Sequence, residues 1–270
     1  MCELLGMSSR VPATVQLSLG ELARHGGLTG PHRDGWGVGY YDGADAHVWK
    51  DVGPACDSAW VEFMQRRPLA SALVLAHIRR LTQGTRVLAS CQPFARELGG
   101  RMHLFAHNGD LDRARLPALP RHGARPLGDT DSEHAFCVLL DRLHEPWQDR
   151  APPTVDERIA IVAEFAAAVR PLGPANFLYS DGELLFAHAH VRTQASGGLG
   201  PPGLQVLTRV CAVEPSPIVA AGVAITGGPH AGAQRVVLVA SVPLTVEGWT
   251  PLAEGELLVA RAGDVLARVR

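Results

Sequence analysis

Cys2, directly behind the initiator methionine, is the residue of this 270-residue chain with the shortest route to covalent chemistry. Aminopeptidases remove the initiator Met when the second side chain is small, and cysteine qualifies, which would leave a thiol and a free α-amine on one residue. A thiol of pKa ~8.5 beside an amine of ~7.7–8.0 joins a nucleophile to its own base, since roughly a tenth of such amines are neutral at pH 7. The amine can take the thiol proton directly or through one water, as in the threonine/N-terminal-amine pairing. Four more clusters hold polar side chains suited to chemistry: Asp34-Gly35-Trp36-Gly37, His77-Ile78-Arg79-Arg80, His107-Asn108-Gly109-Asp110 and Thr130-Asp131-Ser132-Glu133. Singly, each has a plainer reading. Asn-Gly is the strongest short turn signal, Arg79 is a solvated arginine at a strand end, and Asp131 complements a helix dipole. Asp34-Gly35 is a turn beside a packed Trp36, and His77 and His107 are structural.

These clusters fall where predicted elements end. A short apolar strand runs from Cys2 to about Gly6, and residues 16–25 read as a helix stopped by Gly26-Gly27. Val38–Tyr41 and Ala46–Lys50 flank Asp42-Gly43 as a hairpin. Residues 58–67 predict a short helix. The apolar runs Ala72–Ala76 and Met102–Ala106 enter the His77 and His107 clusters, so two buried strands end on polar groups. Thr130 to Glu133 has the capping-box pattern ahead of Phe136, Leu139, Leu140 and Leu143, and a second helix spans Val155 to Val169. From Ala175 onward the chain is mostly short β runs, at Asn176–Tyr179, Leu184–His188, Leu204–Val213, Val236–Val242 and Glu256–Ala260. Stacked sheets with helices outside follow from this pattern.

Composition narrows the chemistry. A net charge of −2, from 25 basic and 27 acidic residues, gives no electrostatic case for nucleic acid or an anionic membrane, and leaves small neutral or zwitterionic substrates open. Five cysteines, odd in number and without CxxC spacing, argue against a disulfide framework or a zinc site and predict a reducing, cytoplasmic location. His188-x-His190 lacks further ligands at plausible spacing, so no metal is expected. Neither a signal peptide nor a run of about 18 apolar residues is present.

Taken in order, the N-terminal Cys2, His32-Arg33-Asp34-Gly35-Trp36-Gly37, His77-Ile78-Arg79, Gln92-Pro93-Phe94, His107-Asn108-Gly109 and Gly128-Asp129-Thr130-Asp131-Ser132-Glu133 resemble the class II glutamine amidotransferases of the N-terminal-nucleophile hydrolase superfamily, most closely the stand-alone bacterial type. The likeness spans roughly residues 2–190, and Pro243-Leu244-Thr245 to Glu256-Leu257 resembles the family's C-terminal end. It implies a four-layer αββα sandwich, residues 2–270 as a single glutaminase domain without a synthase domain, and no cofactor. It also implies roles. Cys2 would attack the γ-amide of glutamine, Asn108 and Gly109 would hold the oxyanion, Arg79 the α-carboxylate and Asp131 the α-ammonium. Thr82 would stand near the carboxylate, and Asp34, Gly35, Trp36 and His107 would border or support the pocket. Arg80 stands where many family members carry an aromatic residue.

The reaction so implied is hydrolysis of glutamine to glutamate and ammonia through a γ-glutamyl thioester. Expected partners are glutamine or another γ-glutamyl small molecule, a separate ammonia-accepting synthase chain, and a second copy in a homodimer. Two other readings stand beside it: hydrolysis of a different γ-glutamyl metabolite, as in ergothioneine synthesis, and a non-catalytic binding or regulatory module that keeps only the fold.

Overall fold

The computed structural model describes residues 2–67, 69–81, 85–119, 123–148, 152–211, 218–220, 223–225 and 234–270. The chain runs through β1 (Glu3–Ala13), α1 (Gln16–His25), a hairpin of β2 (Trp36–Asp42) and β3 (Asp45–Asp51), α2 (Ala59–Arg66) and β4 (Ser71–Ile78). A second hairpin, β5 (Phe94–Leu98) and β6 (Arg101–Gly109), leads to α3 (Asp131–His144) and α4 (Val155–Val169). Shorter strands follow: β7 (Ala175–Ser180), β8 (Leu185–His188), β9 (Arg192–Thr193), β10 (Leu199–Gly200) and β11 (Gln205–Cys211). The last are β12 (Ile218–Ala220), β13 (Val223–Ile225), β14 (Gln234–Ala240), β15 (Thr250–Pro251), β16 (Leu257–Arg261) and β17 (Asp264–Val269).

Two large antiparallel sheets result, a seven-stranded one in the order β15-β11-β14-β1-β4-β2-β3 and a six-stranded one in the order β17-β16-β8-β7-β6-β5. Alternate residues of each central strand serve different layers. On β1, Leu5 and Met7 pack with Leu19 and Leu22 of α1 and Val61 and Met64 of α2. Leu4 points the other way, to Leu178, Leu185 and Leu258 of the second sheet. On that sheet's outer face Phe105, Phe177 and Phe186 meet Phe136 and Leu139 of α3 and Val162 and Phe165 of α4. Helix, sheet, sheet and helix are thus stacked as the expected four-layer αββα sandwich. Because both faces of each sheet are covered, its strands read as continuous apolar runs rather than alternating ones.

The two strands entering polar clusters do not stop at them. β4 includes His77 and Ile78, and β6 runs on through His107, Asn108 and Gly109, which pair with Phe177, Asn176 and Ala175 of β7. The turn signal of Asn108-Gly109 is overridden by this cross-strand ladder. α3 keeps half of the predicted capping box: Thr130 Oγ1 accepts from Glu133 N at 3.2 Å. The Glu133 carboxylate instead accepts from Leu127 N and Gly128 N, at 3.0 and 2.8 Å, and pairs with Arg96 at 2.5 Å. It thereby ties the loop before α3 to β5. Among the described residues, no helix is long and apolar enough to cross a membrane.

Three histidines are buried in these layers without charge. Burial holds the imidazole pKa down to about 3 for His77 and about 4 for His103 and His188. Each therefore favours the folded state above its ordinary pKa of 6.5, and that contribution is lost as pH falls, on the order of 1.4 kcal/mol per pH unit at most for each. The Glu3–His25 pair, 2.8 Å apart, works the other way in this window. His25 is raised by Glu3 and Glu3 is lowered despite its burial, so their mutual stabilisation is complete between about 4.5 and 6.5 and fades as pH rises through the raised His25 value. His107 and His190 are lowered by burial as well, and these histidines together outweigh one pair, so urea unfolding should show lower stability at pH 5 than at pH 7. Higher stability at pH 5 would contradict this accounting.

Candidate active site

β1 sets the surroundings of the nucleophile position. Glu3 pairs with Ile78 of β4, and Leu5 with Ala240 of β14. Cys2 therefore sits one residue beyond the β1–β4 ladder, beside Arg79-Arg80, while on the β14 side Ser241 stands opposite Leu4, its N–H donating to Leu4 O at 3.1 Å. Its Sγ accepts from Arg80 N at 3.4 Å and lies 3.8 Å from Arg80 O, to which the thiol donates. Burial pushes the thiol pKa up, and the Asp131 carboxylate adds to this, while the Arg80 backbone contact and the Arg79 charge pull it down. The net direction is upward, so the thiol is protonated at neutral pH and needs a proton acceptor to become a nucleophile.

Cys2 opens onto a cavity of about 780 Å³ whose walls include Arg79, Arg80, Gln92, His107, Gly109 and Asp131. Arg79 is 7% exposed. Among the described residues its Nη1 makes two long contacts, 3.4 Å, to the Asp34 and Thr85 carbonyls, and the rest of its donor fork has no partner there. Asp131, the first residue of α3, accepts from Leu111 N at 2.7 Å through Oδ2, while Oδ1 lies 3.4 Å from the Ser132 hydroxyl. A planar cation and a carboxylate thus face one space that also holds a thiol. A somewhat larger opening, about 870 Å³ between α1 and α2, contains none of the predicted site residues, so volume alone does not select the site.

His107 is spent on structure. Its Nδ1 is 2.8 Å from Ser132 Oγ and its Nε2 3.2 Å from Pro174 O, which fits a neutral ring donating from Nε2. Burial lowers its pKa, in keeping with that state. Its backbone N–H donates to Gln92 Oε1 at 2.6 Å. Asn108 lies beneath the cavity wall, fully buried. Its Nδ2 is 3.2 Å from Ser241 Oγ, and that oxygen also accepts from Leu4 N at 3.0 Å. Asn108 Oδ1 is buried with no partner among the described residues. With the amide turned over by 180°, the Ser241 hydroxyl would donate to Oδ1 and the group without a partner would be a side-chain N–H, a donor in place of an acceptor.

The predicted residues do not all converge. Cys2, Arg79, His107, Gly109 and Asp131 line the cavity, with Asn108 below; Asp34, Gly35 and Trp36 do not line it. Asp34 instead accepts from Leu81 N at 2.8 Å and pairs with Arg86, while Arg79 N donates to Gly35 O at 2.8 Å, so the loop braces the end of β4. Gly35, at φ +122°, has no room for a side chain beside Cys91 Sγ, and Trp36 belongs to the core under α1 and α2. These three brace the end of β4 beside the site, and the Asp34 carbonyl accepts from Arg79 Nη1 at 3.4 Å. Thr82 lies outside the described residues. Three site neighbours had no place in the sequence reading: Ser241, Asn176, whose Nδ2 donates to the Asn108 and Val191 carbonyls at 3.0 and 2.8 Å, and Arg192, whose Nη1 donates to Ser241 O at 2.5 Å. Ser241 and Asn176 each stand at an end of an apolar run, the same signal that exposed His77 and His107.

A doubly covered antiparallel sandwich with a cysteine at the mouth of its inter-sheet space is the architecture of N-terminal-nucleophile hydrolases. The profile of the class-II glutamine amidotransferases matches residues 1–270, and the chain belongs to that family. It is 40% identical over 188 residues to YafJ of Escherichia coli (strain K12), a glutamine amidotransferase by name, covering 70% of this chain and 72% of that one. A predicted glutamine amidotransferase from Pseudomonas aeruginosa PA01 superposes with a TM-score of 0.67 at 33% identity, over 98% of this chain and 100% of that chain. The gamma-glutamyl-hercynylcysteine sulfoxide hydrolase of Mycobacterium tuberculosis (strain CDC 1551 / Oshkosh) is 35% identical over 114 residues, 36% of this chain and 47% of that one.

Gly109 is where β6 can carry no side chain. A Cβ there would stand 1.7 Å from Pro174 O and 2.5 Å from His107 Nε2, so β6 and the segment entering β7 would have to separate. Gly109→Ala should cost about 1–3 kcal/mol or more in urea unfolding. Gly200→Ala, whose Cβ meets nothing within 4 Å, should be close to neutral. Equal stability of the two variants would contradict the packing described.

Proposed function

We propose that the protein hydrolyses the γ-amide of glutamine, with Cys2 as an N-terminal nucleophile after removal of Met1. The observation that carries this reading is the meeting of a thiol, an arginine fork and a carboxylate on one cavity. Arg79 pairs bidentately with the substrate α-carboxylate and Asp131 with its α-ammonium, which places the γ-carbonyl at Cys2. The α-amine that removal of Met1 leaves on Cys2 takes the thiol proton. The sulfur adds to the carbonyl carbon, and the oxyanion takes hydrogen bonds from the Gly109 N–H and the side-chain amide of Asn108. Collapse breaks the C–N bond, the leaving nitrogen takes the proton held by the amine, and ammonia departs from a γ-glutamyl thioester. Water then adds to the thioester, and glutamate leaves with the thiol restored.

A second reading keeps this chemistry and changes the leaving group, to a γ-glutamyl amide larger than glutamine. It is favoured by the size of the cavity and by the likeness to a hydrolase whose name specifies such a compound. A non-catalytic module is disfavoured by the coincidence of Cys2, Arg79 and Asp131, which a binding fold would not need together.

Steady-state release of glutamate and ammonia from glutamine tests the reading. Cys2→Ala should abolish it. Asn108→Ala should lower kcat by about 10²–10³, the usual effect of losing one oxyanion donor. Arg79→Lys should raise KM by about tenfold or more, since a point charge does not replace a fork. The rate should rise with pH as the α-amine loses its proton, near pH ~7.7–8.0. Turnover that survives in Cys2→Ala would refute the assigned nucleophile.

A further inference from the structure

A second cavity, about 400 Å³, adjoins the first beside Arg80, whose backbone N–H donates to Cys2 Sγ at 3.4 Å. Arg80 and Thr193 belong to both walls. The hairpin of β9 and β10 stands between the two, with Leu199 facing the first and Gln194 the second. The charges of the two spaces differ. Asp110, Asp129 and Asp131 line the first alongside its arginines. Among the described residues, no acidic side chain lines the second, whereas Arg80 and Arg192 both do.

The two arginines are unequal. Arg192 is fixed: its Nη1 donates to Ser241 O, and its Nε is buried with no partner among the described residues. Glu3 lies near enough to act on it electrostatically, but that carboxylate is already bound to His25 at 2.8 Å and is not part of the wall. Arg80 is exposed, and among the described residues no hydrogen bond or ion pair engages its guanidinium. One cation is anchored and one is free to close on a ligand.

The direction follows from the carbonyl. A γ-glutamyl group held by Arg79 and Asp131 presents Cγ toward the first cavity and its oxygen toward Gly109 and Asn108. The third substituent, the amide nitrogen, departs beside Arg80, the residue that both touches Cys2 Sγ and lines the second cavity. We infer that this second cavity receives the leaving amine, and that it selects amines bearing a carboxylate, so that the substrate class is γ-glutamyl amino acids or short γ-glutamyl peptides. Arg80 and Arg192 bind that carboxylate. The space equals about a dozen waters at roughly 30 Å³ each, ample for an amino acid and far more than ammonia requires. The step balances without a further reactant: the amide C–N bond breaks as the C–S bond forms, the departing nitrogen takes the proton held by the Cys2 amine, and water later releases glutamate.

This inference rests on the proposed γ-glutamyl thioester chemistry, and three substrates separate the two. Glutamate release is measured from γ-glutamylglycine, whose leaving group carries a carboxylate, from γ-glutamylethylamide, whose leaving group is neutral, and from glutamine. In the wild-type protein, kcat/KM for γ-glutamylglycine should exceed that for γ-glutamylethylamide by tenfold or more, with the ratio shrinking as salt is raised. Arg80→Ala and Arg192→Gln should each bring the ratio down severalfold. Glutamate released from all three with equal efficiency, or a ratio unmoved by both substitutions, would overturn the leaving-group site while leaving the thioester reading intact. Release from none would overturn both. The wild-type ratio decides the matter even if a variant fails to fold.

Discussion

The antiparallel pairing of β1 between β4 and β14 is the constraint on which the site depends. β1 is a central strand, covered on one face by α1 and α2 and on the other by the second sheet, so its register is fixed by burial on both sides. A slip of one residue would exchange Leu4 with Leu5 between two dry layers. With the register held, Cys2 is kept beside Arg79-Arg80, where its Sγ meets the Arg80 backbone. The same pairing brings Ser241 to Leu4, and Ser241 in turn reaches Asn108 on the other sheet, so one hydroxyl joins the nucleophile strand, its neighbour and the opposite sheet.

Much of this was legible in the residues. Periodicity and glycine stops located α1, α2 and α4 to within a residue, and the continuous apolar runs marked the central strands because double coverage leaves no polar face. Edge strands were harder: β5 and β17 carry mixed patterns, since each has a neighbour on only one side. Asn108-Gly109 shows a limit of local reasoning, as its turn propensity is overruled by pairing with residues nearly seventy positions later. For Asp34, Gly35 and Trp36 the chemistry of the residues suggested a pocket, but the sharp turn they form is needed to support the end of β4. Arg192 could not be singled out because nothing in its own surroundings along the chain distinguishes it; it matters through its hydrogen bond to Ser241, which the fold brings beside β1.

Charge distinguishes the two spaces that share Arg80 and Thr193. The cavity with both signs suits the zwitterionic end of a glutamyl group. The adjoining one, lined by arginines without acids, suits an anion. An enzyme releasing only ammonia has little use for the second, and a mere binding module has little use for the thiol. The membership of the chain in the class-II glutamine amidotransferases fits the first half of this division.

The central claim is that Cys2 is the terminal residue and the nucleophile. Intact-mass and peptide mass spectrometry after treatment with a glutamine-mimicking diazo-ketone addresses both at once. The account predicts a chain lacking Met1 that gains one adduct, mapped to Cys2, with labelling suppressed by excess γ-glutamyl substrate. A chain that keeps Met1, or an adduct on Cys56, Cys91, Cys137 or Cys211 instead, would contradict it.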